Sequence, residues 1–240
     1  MTTPAPRAAD TPPPLLLFDV FGTVVDWHGS VVREMADIAP SVDGDAFALA
    51  WRAGYQPAMA AVRDGRRPWV TLDTLHREIL DALLPRFGLS QLDAAQRRHL
   101  NQVWHRLRPW PDTVTGLTRL KQAYTIAPLS NGNIALLTNM AKRAGLPWDC
   151  VLSAEVFRAY KPDPAVYRGA AALFDRSPEQ VMLVAAHHDD LAAARACGLR
   201  TAYIERPLEF GAAHVKDVSP QPANDLHATS LTDLADQLGA

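Results

Sequence analysis

The stretch Leu15-Leu16-Leu17-Phe18-Asp19-Val20-Phe21-Gly22-Thr23 decides how the chain folds. A continuous apolar run of strand length, closed by a glycine, is the pattern of a central parallel strand buried on both faces. Its carboxyl end carries one acid, Asp19. Further along, strand-like runs at 124–129, 181–186 and 201–204 alternate with helical patterns at 113–121, 164–173 and 190–196. That alternation predicts βα units in a doubly wound parallel sheet. Such sheets bind ligands beyond the carboxyl ends of their strands. Asp19, Ser130-Asn131 and His187-His188-Asp189-Asp190 each follow a strand-like run, so three distant segments point at one crevice.

Between about 27 and 106 the pattern changes. The spacing of Val31, Val32 and Met35, and of Leu75, Ile79, Leu80, Leu83 and Leu84, is helical, and no strand stands out. The expected architecture is therefore an α/β core made of residues 15–26 and 107–240, with an α-helical cap, residues 27–106, inserted after the first strand. Residues 1–14 hold five prolines and predict a flexible arm. A chain of 240 residues is long enough to bury a site between two such parts. A net charge of −2 without runs of like charge argues for a small-molecule partner, and against nucleic acid or an anionic membrane. Cys150 and Cys197 are too few for a disulfide framework and are expected as reduced core residues. No bilayer-spanning apolar stretch and no leader pattern are visible, which predicts a cytoplasmic protein.

The run Phe18-Asp19-Val20-Phe21-Gly22-Thr23 resembles the first motif of the haloacid dehalogenase superfamily, and Val24-Val25-Asp26-Trp27 beside it resembles the L-2-haloacid dehalogenase branch. Leu129-Ser130-Asn131-Gly132 is similar to the second motif, Tyr160-Lys161-Pro162-Asp163 with Tyr167 to the third, and 185–190 lies where the fourth falls. The resemblance implies a hydrolase that needs no metal and no cofactor. Asp19 would displace halide from a small 2-haloalkanoic acid, leaving an ester that water later cleaves to the 2-hydroxy acid. Lys161 would keep Asp19 ionised. Ser130 and the backbone N–H groups near Val20 and Phe21 would bind the substrate carboxylate, while Asn131 and Arg52, of the pair Trp51-Arg52, would receive the halide. Thr23 and Tyr167 complete the implied substrate-binding set. Homodimers are common among such proteins, and one is plausible on this ground alone.

Two departures from the superfamily pattern bear on the chemistry. Its phosphatases carry a second Asp two residues after the nucleophile, to protonate a leaving alcohol. Here that position is Phe21, and a halide leaves without a proton. The fourth motif usually reads Ser-Ser-Asn with Asp three residues on. Here it is Ala185-Ala186-His187-His188-Asp189-Asp190. Asp190 keeps the carboxylate expected to orient water, and His187 becomes a second candidate base. The altered motif also makes fluoroacetate a candidate substrate. The competing readings are a magnesium-dependent phosphatase, with the ion between Asp19 and Asp189 or Asp190, and a non-catalytic binding protein on this scaffold.

Overall fold

A computed structural model describes residues 13–240. The expected arm lies outside the described residues except for its end, where Pro13 is buried and Pro14 O accepts the N–H of Thr125 at 3.1 Å. Pro14 thus adds one hydrogen bond beside β4 just before the first strand, and Pro13 packs on the described structure.

The apolar run forms β1 (Leu15–Phe18), followed by β2 (Val25–Asp26). An all-helical stretch comes next: α1 (Trp27–Ile38), α2 (Gly44–Ala53), α3 (Tyr55–Arg63), α4 (Leu72–Leu83) and α5 (Ala94–Asn101). Then β3 (Arg108–Pro109) returns the chain, and α6 (Thr113–Ala123), β4 (Thr125–Ser130), α7 (Ile134–Ala144) and β5 (Leu152–Ser153) follow. The last part comprises α8 (Pro164–Leu173), β6 (Val181–Ala185), α9 (His188–Ala196), β7 (Arg200–Ile204), β8 (Leu226–Ala228) and α10 (Leu231–Gln237).

Six strands form one parallel sheet in the order β5-β4-β1-β6-β7-β8. β1 lies inside it, with Leu15 beside Thr125 of β4 on one side and Val181 of β6 on the other. The strand period of two sends Leu16 and Phe18 to one face, where they pack with Leu117, Leu120, Leu231 and Leu234 of α6 and α10. Leu15 and Leu17 point to the other face, toward Val166 and Ala170 of α8 and Leu191 and Ala194 of α9. Helices on both faces explain why the strand is apolar without alternation, and the doubly wound α/β expectation holds.

β2 and β3 pair antiparallel, Val25 with Pro109 and Asp26 with Arg108, at the two points where the chain leaves the sheet and returns to it. Asp26 starts α1 by accepting Gly29 N–H at 2.7 Å, and Asp43 and Asp93 cap α2 and α5 in the same way. The helices are held together by fully buried aromatic rings, with Trp51 edge-on to Trp104 at 5.3 Å and Phe47 edge-on to Trp51 at 5.7 Å. Their cluster is continuous with the α6–α10 face of the sheet. Cys197 is buried, but Cys150 is exposed, contrary to expectation: it lies in the turn before β5, the edge strand. Among the described residues no helix is long and apolar enough to cross a membrane.

Candidate active site

Asp19 follows β1 while still in register with β6, its N–H donating to Val184 O at 3.0 Å. The chain then folds tightly, with Val24 and Val25 N–H both on Val20 O and Gly22 N–H on Val25 O. Gly22 sits at φ +85°, in the left-handed region, and a Cβ there would lie 2.3 Å from Glu209 Oε1. The N–H groups of Val20 and Phe21 make no backbone hydrogen bond inside this turn. They remain as donors beside the carboxylate.

Three side chains hold Asp19. Thr23 Oγ1 donates to Oδ2 at 2.8 Å, Lys161 Nζ to Oδ1 at 3.0 Å, and His187 Nδ1 lies 3.1 Å from Oδ2. Burial would push the Asp19 carboxyl up. The Lys161 charge and the His187 hydrogen bond outweigh it and hold the group well below the usual carboxylate range. Lys161 also donates to Asp190 Oδ2 at 2.5 Å, and the other Asp190 oxygen accepts from Tyr167 OH at 2.6 Å. Burial works against the Lys161 charge, but Asp19 and Asp190 reverse this and raise it above the ordinary lysine value. Burial pushes the Asp190 carboxyl up against the pull of Lys161. Burial and the adjacent Asp190 push the Tyr167 phenol up, so it stays a donor.

On the opposite flank of Asp19, His187 reaches from the start of α9 and turns Nε2 to Glu209 Oε1 at 2.8 Å. Glu209 is fully buried, and its second oxygen accepts from Lys216 Nζ at 2.7 Å. Lys216 is fixed in turn on Ala186 O. Burial opposes a charged His187, yet Glu209 first and Asp19 second raise it to about 9. Burial likewise opposes ionised Glu209, and His187 and Lys216 bring it down to about 2. Sequence reading missed Glu209 and Lys216, because a Glu and a Lys in a loop are ordinarily solvated. The nearest signal is the glycine at 22, whose absent side chain leaves room for the Glu209 carboxylate.

A cavity of about 320 Å³ opens in front of Asp19. Phe21, Asn131, Lys161, Tyr167, His187 and Asp190 line it from the sheet side, together with Asp189. Arg52, Tyr55, Gln56 and Arg63 line it from α2 and α3. The Arg52 guanidinium lies over the Tyr55 ring at 4.1 Å and the Trp27 ring at 5.4 Å, and its buried Nη1 has no hydrogen-bond partner. Behind it His76, fully buried and stacked on Trp104 at 4.2 Å, is kept neutral, its value lowered to about 3 by burial and then by Arg52. Phe21 stands edge-on to both rings, 5.8 Å from Trp104 and 6.3 Å from His76. Asn131 accepts Lys161 N–H at 2.8 Å, while its amide NH₂ meets Met59 Sδ at 3.3 Å, a weak acceptor, and the Tyr55 hydroxyl.

Of the residues expected at the site, Asp19, Phe21, Arg52, Asn131, Lys161, Tyr167, His187 and Asp190 converge on this cavity. Three do not line it. Ser130 is fully buried and its Oγ accepts Gly132 N–H at 3.1 Å, so the hydroxyl is engaged in the turn after β4 rather than in the cavity lining. Thr23 is fully buried beneath Asp19, tied to it and to Ala186 N–H at 2.9 Å. The Val20 side chain is core, leaving only its backbone near the carboxylate. Among the described residues no group of three or more His, Cys, Asp or Glu side chains is disposed to hold a metal ion. The space between Asp19 and Asp190, where a magnesium ion would lie in the phosphatase reading, is taken by the Lys161 ammonium.

A doubly wound sheet that presents a lysine-bridged carboxylate pair beneath inserted helices defines a class of hydrolase. Residues 13–198 match the sequence model of haloacid dehalogenase-like hydrolases, and the chain belongs to that family. Within it the chain stands in the L-2-haloacid dehalogenase branch that its motifs resemble. It is 32% identical over 203 residues to (S)-2-haloacid dehalogenase 1 of Pseudomonas sp. (strain CBS-3), covering 82% of this chain and 88% of that one. Two solved structures superpose on it over nearly their whole length. The defluorinating L-2-haloacid dehalogenase Rha0230 is 49% identical with a TM-score of 0.91, covering 94% of this chain and 95% of the other. The L-2-haloacid dehalogenase PA0810 is 50% identical with a TM-score of 0.89, covering 93% and 98%.

Proposed function

We propose that the protein hydrolyses the carbon–halogen bond of small 2-haloalkanoic acids through an ester on Asp19. The observation that carries this reading is an ionised, buried nucleophile facing a cavity of about 320 Å³, with the aromatic Phe21 at the position where the superfamily's phosphatases carry the carboxyl that protonates a leaving alcohol. Asp19 Oδ1, oriented by Lys161, attacks the halogen-bearing carbon in line, which inverts that carbon. The halide departs toward the Asn131 amide and Arg52 Nη1, a buried donor with no hydrogen-bond partner. The substrate carboxylate lies toward Lys161 and the N–H groups of Val20 and Phe21, taking the place first expected for Ser130. Water then attacks the Asp19 carbonyl carbon. His187 serves as its base, backed by Glu209, because both Asp190 oxygens are occupied by Lys161 and Tyr167. Asp190 therefore acts as the anchor of Lys161. The helices between β2 and β3 act as the cap that keeps bulk water from the ester, and neither metal nor cofactor takes part.

Halide release from chloroacetate, fluoroacetate and both 2-chloropropionate enantiomers, measured in excess chelator, tests the reading. Release from at least one acid that persists in chelator and is lost in Asp19→Asn supports it. No release from any acid refutes it. We include fluoroacetate among the substrates because the cavity is small and carries two donors for the departing ion; failure to release fluoride where chloride is released removes that part alone.

A further inference from the structure

His187 has a carboxylate on each ring nitrogen, Asp19 on Nδ1 and Glu209 on Nε2. Ionised carboxylates only accept hydrogen bonds, so a ring that satisfies both donates from both nitrogens and is an imidazolium. An imidazolium has no lone pair with which to take a proton from water. As it rests, the site therefore lacks the base that ester hydrolysis requires.

We propose that alkylation of Asp19 itself turns His187 into the base, by removing the negative charge that holds the Nδ1 proton. The inference rests on the aspartyl-ester reading above. Formation of the Asp19 oxygen–carbon bond breaks the carbon–halogen bond and sends the electron pair out with the halide. The neutral ester oxygen now facing Nδ1 is a weaker acceptor, and the Nδ1 proton leaves to water in the cavity. His187 becomes the neutral form with its Nε2 proton on Glu209 and its Nδ1 lone pair toward the ester. It then takes a proton from the attacking water. As the tetrahedral adduct collapses, the second proton of that water goes to the alkoxide of the 2-hydroxy acid, and Asp19 returns as a carboxylate. The balance is haloacid plus water to hydroxy acid, halide and one proton.

Charge balance points the same way. In the resting site three buried or half-buried carboxylates, Asp19, Asp190 and Glu209, stand against three cations, Lys161, His187 and Lys216. Esterification with His187 still protonated would leave three cations against two anions in a poorly solvated space, which is costly. Loss of the Nδ1 proton restores two against two. The remaining charges near the ring do not alter this. Asp189 is exposed at the rim of the cavity, and Arg52, across it, faces the departing halide. The raised value of His187 has the expected origin, since Glu209 and Asp19 together overcome burial. Removing the Asp19 contribution leaves burial opposed by Glu209 alone.

Asp19→Asn reproduces the loss of charge without changing size, so titrating His187 by nitrogen-15 NMR of histidine-labelled protein, with His187→Gln for assignment, tests the inference. Wild type should hold both ring protons through neutral pH and titrate near about 9. In Asp19→Asn the midpoint should fall by about one unit or more, and in Glu209→Gln it should also fall below wild type. A midpoint in folded Asp19→Asn equal to that of wild type, or a wild-type ring already neutral at pH 7, overturns it. Because the titration needs no turnover, a protein that titrates as expected but releases no halide would refute the functional reading and not the charge coupling.

Discussion

The two walls of the cavity are built on opposite principles. On the sheet side the charges around Asp19 are paired: Lys161 lies between Asp19 and Asp190, and His187 between Asp19 and Glu209. On the helical side the half-buried Arg52 rests on aromatic faces and leaves Nη1 without a partner. A saturated wall fixes geometry, because each group has its acceptor and none is free to turn. An unsaturated wall keeps a donor in reserve for a charge that appears only during reaction, which is the condition for stabilising a transition state over a ground state. In the proposed reaction the nucleophile thus belongs to the rigid wall and the leaving group to the waiting one.

The sharpest way to break this contrast is Asp19→Asn, which is expected to lower halide release by about 10,000-fold or more, while the sheet-side packing keeps the protein folded. Halide electrode traces and circular dichroism report the two halves. His187→Gln should separate the half-reactions. We expect a burst of one halide per chain followed by turnover slowed by about 100- to 10,000-fold, with the adduct on Asp19 visible by intact-mass spectrometry. A steady rate near that of wild type would move the base elsewhere. On the other wall, Arg52→Met should slow release by about 100- to 1,000-fold, more for fluoride than for chloride, since fluoride relies more on hydrogen bonding to depart. An equal loss for both halides would mean that Arg52 binds the acid and not the leaving group.

The paired wall should also show in stability. Glu209, held down to about 2, stabilises the fold above its ordinary value of 4.5 and loses that contribution as pH falls through about 2. His187, raised to about 9, contributes fully below 6.5 and loses its contribution as pH climbs through about 9. Thermal denaturation of wild type against His187→Gln should show the gap narrowing across pH 6.5 to 9. A constant gap would mean that the ring is held by packing alone. The smallest effect is expected of Tyr167→Phe, which removes one hydrogen bond to a buried carboxylate, worth about 1–3 kcal/mol. Its Tm should fall by a few degrees while halide release declines less than in any variant above.

Much of this could be read along the chain because a parallel sheet writes itself into sequence. Leu15 to Phe18 are apolar on both faces, and the acids that matter come directly after strands. Asp19 was legible from its place after a strand, while Lys161 and Asp190 were legible through their resemblance to the third and fourth motifs. The place of Ser130 was not legible, because a hydroxyl in a turn looks the same whether it faces a cavity or its own backbone, and only three-dimensional packing showed it bonded to Gly132. β2, β3, β5 and β8 have two or three residues each, too few for a period to show. Glu209 lay beyond reach for a different reason. Its importance comes from contact with His187, 22 positions away, and from Lys216, and a loop carries no periodic signal that would join them.

Gly22 and Glu209 occupy what is in effect one volume, since a side chain on the first would stand where the carboxylate of the second now lies. The two positions therefore form a single heritable unit. A mutation that gives residue 22 a methyl group displaces the acid behind His187, so a change at either position bears on the other. Routes by which this scaffold could drift toward other chemistries must pass around that pair or replace both members together.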